Sequence, residues 1–157
     1  MSERPRSTFL TKNGYQKLEQ ELEYQRKVRR QEVARRLHAT LEEGDVLENA
    51  ELEDARNEQA FVEGRILTLE RILGSAVIIE ETGPRETVGL GSRVTVAEDD
   101  NQQETYHIVG SAEADPAKGL ISNESPLGQA LLGRKVGEIA EVNAPAGLLE
   151  FKIVGIQ

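Results

Sequence analysis

The stretch LEDARNEQAFVEGRILTLERIL, residues 52–73, carries the apolar pattern that decides how the N-terminal half of this chain folds. Its apolar positions recur at alternating steps of three and four residues, the spacing of a helix packed against one partner helix. This seam is formed by Leu52, Ala55, Gln59, Val62, Ile66, Leu69 and Leu73. The stretch therefore predicts one arm of a coiled coil.

The partner arm precedes this stretch in the chain. No proline occurs from residue 6 to residue 83, and between Tyr15 and Leu73 the only glycines are Gly44 and Gly64, so a helical composition is interrupted once. A second seam begins at Tyr15, Leu18 and Leu22, is weakly apolar at Gln25 and Arg29, and resumes at Val33, Leu37 and Leu41. We predict an antiparallel hairpin of helices over residues 12–42 and 50–74 that turns near Gly44. The longer helix should span on the order of 45 Å and project from a body, because no third element covers its outer faces.

The C-terminal half, residues 76–157, follows a different pattern. Ten of the fourteen glycines and four of the five prolines lie here, between short β-branched runs. These runs are AVIIE, SRVTVAE, ETYHIVG, EIAEV and LLEFKIVGI. One short helix is predicted from Pro126 to Leu132, with Ser125 as its N-cap and Gly133 after its end. We therefore predict an α+β protein with a coiled-coil hairpin over residues 1–75 and a twisted antiparallel β domain with one short helix over residues 76–157.

Composition excludes several classes of function. The chain has 157 residues, a net charge of -9 and 38% hydrophobic residues, which is typical of a folded chain. It has no cysteine, so disulfides, thiolate zinc sites and cysteine nucleophiles are excluded. The N-terminus lacks the apolar segment of a signal peptide and no run is long enough to span a membrane, so the cytoplasm is the expected compartment. The two histidines, His38 and His107, lack partners at metal-ligand spacing, and we expect one on a helix surface and one in a strand.

Charge is strongly segregated along the hairpin. Residues 26–36 contain six bases and a single acid, Glu32; we call the six bases the basic band, and they are Arg26, Lys27, Arg29, Arg30, Arg35 and Arg36. Residues 42–58 contain eight acids against one base, Arg56. One interpretation is a solvated helix surface, with bases paired across the hairpin to acids such as Glu58, Glu63 or Glu70. The other is a stripe that contacts nucleic-acid phosphates beside an acidic tip.

Two acids of the tip continue the apolar seam. Steps of four and three backward from Leu52 reach Glu48 and Asp45, at the open end of the hairpin. Carboxylates are preferred ligands of Mg2+, which takes one or two from protein, so this pair could form half of a metal site completed by a substrate or partner. The alternative is local, because acids favour a helix N-terminus and Asn49 or Asp45 could cap the second helix. Spacing alone does not separate these interpretations.

Longer motifs resemble the bacterial Gre factor family, its GreA type more than its GreB type. FLTKNGYQKLEQELE resembles the opening of the family's first helix, and EEGDVLENAELEDARNEQ resembles its tip signature, G-D-x-x-E-N-A-E. RILTLERILGSAVII resembles the exit from the second helix, and SPLGQALLGRKVGEIAEVNAPAG resembles the FKBP-like C-terminal domain. The resemblance runs in order from about Phe9 to Ile156.

The resemblance implies a transcript-cleavage factor that is not a nuclease by itself. The coiled coil would enter the secondary channel of bacterial RNA polymerase while the globular domain holds the channel rim. Asp45 and Glu48 would help hold the second Mg2+ with the polymerase's aspartates and orient the attacking water, so that a backtracked RNA 3′ end is hydrolysed. Gly44, Asn49 and Leu52 would support the tip. The family's RNA-contacting basic patch corresponds to part of Arg29, Arg30, Arg35 and Arg36, and the free protein is expected to be a monomer that does not hold Mg2+ tightly.

One position departs from the family, and two other functions are considered. The family usually has tyrosine after E-N-A-E, whereas this chain has Leu52, so cleavage could be slower or favour different RNA ends. An inhibitor that blocks the polymerase active site is the first alternative, although the tips of such homologues lack the G-D-x-x-E-N pattern. Prolyl isomerase is the second, but residues 76–157 contain only two aromatic residues, Tyr106 and Phe151, and both are expected in the core.

Overall fold

The computed structural model describes residues 6–42, 50–80, 85–99 and 102–157. These residues group into two units, one spanning Tyr15–Ser75 and the other combining the segment up to Gly14 with Ala76–Gln157. The predicted hairpin covers the whole segment before residue 76. The structure instead groups the residues up to Gly14 with the C-terminal unit, because a strand there pairs with the chain after Ser75.

Helices form the unit Tyr15–Ser75, as predicted. Helix α1 (Lys12–Tyr24) continues through a π-helical segment (Gln25–Arg29) into α2 (Arg30–Glu42), and α3 (Ala50–Gly74) packs against them. The arms are antiparallel, since an ion pair near the end of α2 reaches the start of α3 and one in the π-helical segment reaches its last turns. The buried seam consists of Leu22, Val33, Ala55, Val62, Ile66 and Leu69.

Two predicted seam positions differ in the structure. Leu41 is 55% exposed, whereas Thr40 is buried and its hydroxyl donates to the carbonyl oxygen of Leu37 at 2.7 Å. The reason is that seam positions alternate between steps of four and three residues. The step from Val33 to Leu37 is four residues, so the next step is three residues and reaches Thr40. Gln59 is exposed, since its amide can remain hydrated at the edge of the seam.

The π-helical segment coincides with the weakly apolar middle of the first seam. Its backbone widens so that the N–H of Arg30 donates to the carbonyl oxygen of Gln25. Such a turn inserts a residue into an α-helix and shifts the side chains that follow. This part of the basic band therefore lies on an altered helical register.

The C-terminal unit is built on a five-stranded sheet. Its strands are β3 (Arg93–Glu98), β4 (Gln102–Val109), β5 (Leu120–Ser122), β6 (Ile139–Ala144) and β7 (Gly147–Ile156), in the order β5-β4-β3-β7-β6. Neighbouring strands are antiparallel except β4 and β5, which are parallel with Ile108 opposite Ile121. The predicted antiparallel sheet is therefore confirmed at three of its four strand pairs, and the parallel β4–β5 pair departs from it. Parallel pairing depends on a crossover that strand composition does not reveal.

A second, two-stranded sheet was not predicted. Strand β1 (Thr8–Thr11) pairs in parallel with β2 (Ala76–Ile79), with Thr8 opposite Ala76 and Thr11 opposite Ile79. The stretch that resembles the opening of the family's first helix starts at Phe9, and no strand was predicted there. The strand depends on a partner far along the chain, so four residues of local pattern could not identify it.

Helix α4 (Pro126–Leu131) covers the inner face of the larger sheet and begins as predicted. The hydroxyl of Ser125 accepts a hydrogen bond from the backbone N–H of Gly128 at 3.1 Å, and Pro126 occupies the first helical turn. A Cβ at Gly128 would lie 2.0 Å from the carbonyl oxygen of Ser122, so only glycine permits this approach to β5. The core beneath α4 contains Val94, Val96, Ile108, Leu131, Ala140, Phe151 and Ile153.

No helix in the described ranges is both long and apolar enough to cross a membrane.

Candidate functional site

The predicted tip site falls in the segment between α2 and α3. Gly44, Asp45, Glu48 and Asn49 lie outside the described residues, so their roles stay predictions. Leu52 is described and lies half-buried in the first turns of α3. From Ala50 onward, the described residues of α3 agree with the helix predicted over residues 50–74.

The basic band is described in full and is extensively paired. Five of its six bases form ion pairs, and the carboxylates predicted as partners across the hairpin are among those they use. These pairs join Arg26 to Glu70, Lys27 to Glu23, Arg29 to Glu32 and Glu58, Arg30 to Glu63, and Arg36 to Asp54 and Glu58. The prediction of pairing across the hairpin is confirmed, and contact with RNA stays a prediction.

Glu58 lies at the centre of the pairing. One of its carboxylate oxygens accepts a hydrogen bond from Arg29 and the other accepts one from Nη1 of Arg36 at 2.5 Å. Arg36 also donates through Nη2 to Asp54 at 2.8 Å. The hydrogen bonds from Arg29 and then Arg36 hold the pKa of Glu58 below its ordinary value. The Glu58 carboxylate, followed by that of Glu32, raises the pKa of Arg29.

Arg30 makes a separate bidentate ion pair with Glu63. Its Nε and Nη2 donate to the two oxygens of Glu63 at 2.7 and 2.9 Å, a fork geometry that suits guanidinium and carboxylate alike. This contact lowers the pKa of Glu63 and raises that of Arg30. Arg35 is exposed and forms no ion pair with a carboxylate in the described ranges. Arg35 is thus an exposed base of the band, while the other five bases pair with carboxylates.

Other candidate chemistry is weak in the described parts of the chain. There, no group of three or more His, Asp or Glu side chains could hold a metal ion. His38 lies exposed on α2 within 3.1 Å of Glu42, and His107 lies in β4, as predicted. The metal prediction therefore depends on the tip.

The two aromatic rings of the C-terminal half belong to its core. Phe151 is 7% exposed and the partly buried Tyr106 packs against the same cluster. The Tyr106 hydroxyl donates to Glu104, and burial, followed by this acidic neighbour, raises the pKa of Tyr106 to about 12. Rings in these positions fill the core, as predicted.

One polar contact of the C-terminal unit was missed by sequence reasoning. The Glu113 carboxylate accepts hydrogen bonds from Thr11, and the Thr11 hydroxyl accepts one from the N–H of Gly14. The spacing of Thr11 and Gly14 is that of an N-cap, a signal that could have located the start of α1. The distant carboxylate had no such local signal.

Comparison with known proteins follows the same two halves. Residues 8–78 match the family described as "Transcription elongation factor, N-terminal", and residues 83–157 match "Transcription elongation factor, GreA/GreB, C-term". The chain belongs to the GreA/GreB family. Among curated GreA/GreB relatives, transcription elongation factor GreA of Bacillus subtilis is 51% identical over 148 residues, 94% of each chain. Transcription elongation factor GreA of Acetivibrio thermocellus is 48% identical over 154 residues, 97% of each chain.

Solved structures from the same comparison include two relatives. GreA factor homolog 1 (Gfh1) of Thermus thermophilus is 39% identical, with 97% of this chain and 99% of that chain covered and a TM-score of 0.46. The GreA/GreB factor of Nitrosomonas europaea is 22% identical, with 96% and 99% covered and a TM-score of 0.42.

Proposed function

We propose that this GreA/GreB family member stimulates the cleavage of backtracked transcripts by bacterial RNA polymerase. The observation that carries the proposal is the motif GDVLENAE, residues 44–51, in a chain that matches the family along both halves. The hairpin enters the polymerase secondary channel and the C-terminal unit holds the channel rim. The factor has no nuclease activity alone, and this function implies a cytoplasmic protein that is a monomer when free.

The chain's chemical contribution comes from Asp45 and Glu48. Their carboxylates are hard oxygen ligands, and a pair of them suits a Mg2+ ion that keeps other ligands from its surroundings. When bound, the ion lowers the pKa of a water and stabilises charge on the phosphate. The two side chains would hold that ion jointly with polymerase aspartates and orient the attacking water toward the RNA 3′ segment.

The hairpin supplies the means of delivery. The buried seam of α3 continues to Ala55, close to the motif, so the arms stay packed nearly to the tip. A long hairpin with its carboxylates at one end suits a narrow channel, because the chemistry and the anchoring surface lie on different parts of the chain. The family motif supports this proposal, while helix capping by the same residues remains compatible with it.

The test uses stalled, backtracked elongation complexes with labelled RNA. Native protein should shorten the transcripts in the presence of Mg2+, whereas Asp45→Ala and Glu48→Ala should reduce cleavage by about a hundredfold or more while competing for polymerase as well as native protein does. Glu53→Ala is the matched control, because it removes an exposed acid of α3 that is neither of the motif's two proposed ligands. Full cleavage by either tip variant would remove the metal-ligand role.

The same assay distinguishes the inhibitor alternative. An inhibitor in the channel would leave the transcripts unshortened and slow RNA elongation. That result with native protein would overturn the cleavage proposal while preserving the channel-binding one.

A further inference from the structure

Glu58 is the only carboxylate in the described ranges that joins two bases of the basic band. It contacts Arg29 and Arg36, whose backbones are seven positions apart and therefore lie on the same side of the first arm, two turns apart. Its side chain is 26% exposed, compared with 69% for Asp54, the other partner of Arg36. Glu58 thus occupies the space between the two guanidinium groups.

This arrangement changes what the basic band offers to an anion. Phosphate is recognised by the same fork of N–H donors that a carboxylate uses. In the free protein, both Nη groups of Arg29 and of Arg36 donate to carboxylates, namely Glu58 and its acidic neighbours Glu32 and Asp54. A phosphate that binds both guanidinium groups must therefore displace the Glu58 carboxylate, and this carboxylate then stays close to the phosphate.

We infer that the Glu58 carboxylate competes with nucleic-acid phosphate for the guanidinium groups of Arg29 and Arg36. This competition keeps the affinity of the basic band for RNA low until RNA is present at high local concentration. The inference rests on the proposed function, since it concerns the band that would contact RNA. Arg35, exposed and without a described acidic partner, is the first contact, and Arg29 and Arg36 exchange partners afterwards. The physical effect is selectivity against free RNA in bulk solution.

Glu58 is better placed for this role than the other acids. Glu63 and Glu70 each pair with a single base, and Glu32 lies on the same arm as its partner. Among the ion pairs of the described residues, release of Glu58 is the single exchange that frees a donor on each of two guanidinium groups, and one phosphate can then accept from both. Exposed ion pairs are individually weak, so exchange is accessible without unfolding the hairpin.

The experiment measures binding of free protein to a fluorescently labelled single-stranded RNA of about ten nucleotides by anisotropy at low salt. Glu58→Gln keeps the shape of the side chain and removes its charge. Glu53→Gln makes the same change of net charge at an exposed acid that has no ion pair in the described structure. We expect Glu58→Gln to bind about three- to tenfold more tightly than Glu53→Gln, the range that one or two exposed pairs supply.

Two further measurements identify the cause of a gain. The triple variant E58Q/R29A/R36A should lose the gain, because the released guanidinium groups are gone. The dependence of affinity on salt should be steeper for Glu58→Gln than for native protein, because more phosphate contacts form. Unchanged thermal unfolding of Glu58→Gln and Glu53→Gln shows that the hairpin persists.

The outcome that overturns the inference is equal affinity of Glu58→Gln and Glu53→Gln, whether both bind more tightly than native protein or neither does. A gain that survives in the triple variant overturns it as well. Because free protein and RNA suffice, this result does not depend on the polymerase. Cleavage that requires Asp45 and Glu48 together with equal affinities would keep the proposed function and remove only the competitor role.

Discussion

The carboxylate of Glu113 accepts two hydrogen bonds from Thr11, one from the backbone N–H and one from the hydroxyl, each at 2.6 Å. The hydroxyl of Thr11 in turn accepts a hydrogen bond from the N–H of Gly14 at 3.0 Å. Glu113 ends a 3-10 turn, Ser111–Glu113, that follows β4. One side chain therefore joins the end of β1 and the start of α1 to the sheet.

Removing this carboxylate should destabilise the C-terminal unit. Glu113→Ala leaves the Thr11 N–H without its partner, and we expect a loss of about 1 to 3 kcal/mol in the free energy of unfolding, with a smaller loss for Glu113→Gln. Urea denaturation gives the stability, and hydrogen exchange at Thr11 and Gly14 locates the effect. Glu124→Ala, at an exposed acid of the same unit, is the control. Equal losses for the two alanine variants would contradict the role of Glu113.

Glycine at position 110 should be essential for docking β1. A Cβ on Gly110 would lie 2.0 Å from the carbonyl oxygen of Phe9. This overlap could be relieved only by a shift of the backbone. We expect Gly110→Ala to cost more than about 2 kcal/mol of stability. Gly64→Ala is the matched change in α3, where a Cβ meets nothing within 4 Å, and it should stabilise by up to about 1 kcal/mol. Thermal unfolding of both variants measures the contrast, and destabilisation by Gly64→Ala would show an unrecognised contact there.

Two leucines two positions apart in α3 should respond very differently. Leu69 is 0% exposed in the seam and Leu67 is 66% exposed. Leu69→Ala should therefore lower the free energy of unfolding by about 2 to 5 kcal/mol, because it removes buried methyl groups and leaves a cavity. Leu67→Ala should change it by less than about 0.5 kcal/mol. Circular dichroism during denaturation measures both, and a large loss at Leu67 would mean that the outer face of α3 is covered in solution.

The titration of Tyr106 should be delayed to strongly alkaline pH. Burial and the hydrogen bond to Glu104 raise its pKa from 10.0 to about 12 in the folded state. The folded state thus keeps the proton longer than the unfolded state, so this group's stabilising contribution is complete below pH 10.0 and is lost as the pH rises toward about 12. Ultraviolet titration should show one tyrosine that ionises to phenolate at higher pH than the others, and Tyr106→Phe should remove this signal. Glu104→Gln should move it only partly back, because burial is the larger cause.

Under the proposed function, introducing at position 52 the tyrosine that is usual in the family should strengthen transcript cleavage. Leu52 lies half-buried at the start of α3, and a tyrosine there adds a ring and a hydroxyl next to the tip. We expect Leu52→Tyr to raise the maximal cleavage rate by about two- to tenfold, the scale of one aromatic contact. Leu52→Phe separates the ring from the hydroxyl. A Leu52→Tyr protein no faster than native would show that leucine is fully adequate at this position.

Much of the fold could be predicted because its signals are local. The seam from Ala55 to Leu69 repeats within one helix, and the cap formed by Ser125 before Pro126 depends on neighbours in sequence. The pairing of the basic band with Glu58, Glu63 and Glu70 was also among the predicted alternatives, since opposite charges on two antiparallel arms come close together. The tip carboxylates, by contrast, stay predictions that depend on a motif.

Periodicity and capping act over a few residues, so the two helical arms, the short helix, the positions of most strands and the charge segregation follow from local sequence. Long-range packing, in contrast, is what pairs β1 with β2, sets β5 parallel to β4, places Thr40 instead of Leu41 in the seam and joins Glu58 to Arg29 and Arg36. Each of these contacts forms because it has a lower free energy than alternative long-range pairings. A local sequence pattern does not reveal that difference, because the two partners become neighbours only when the chain is folded.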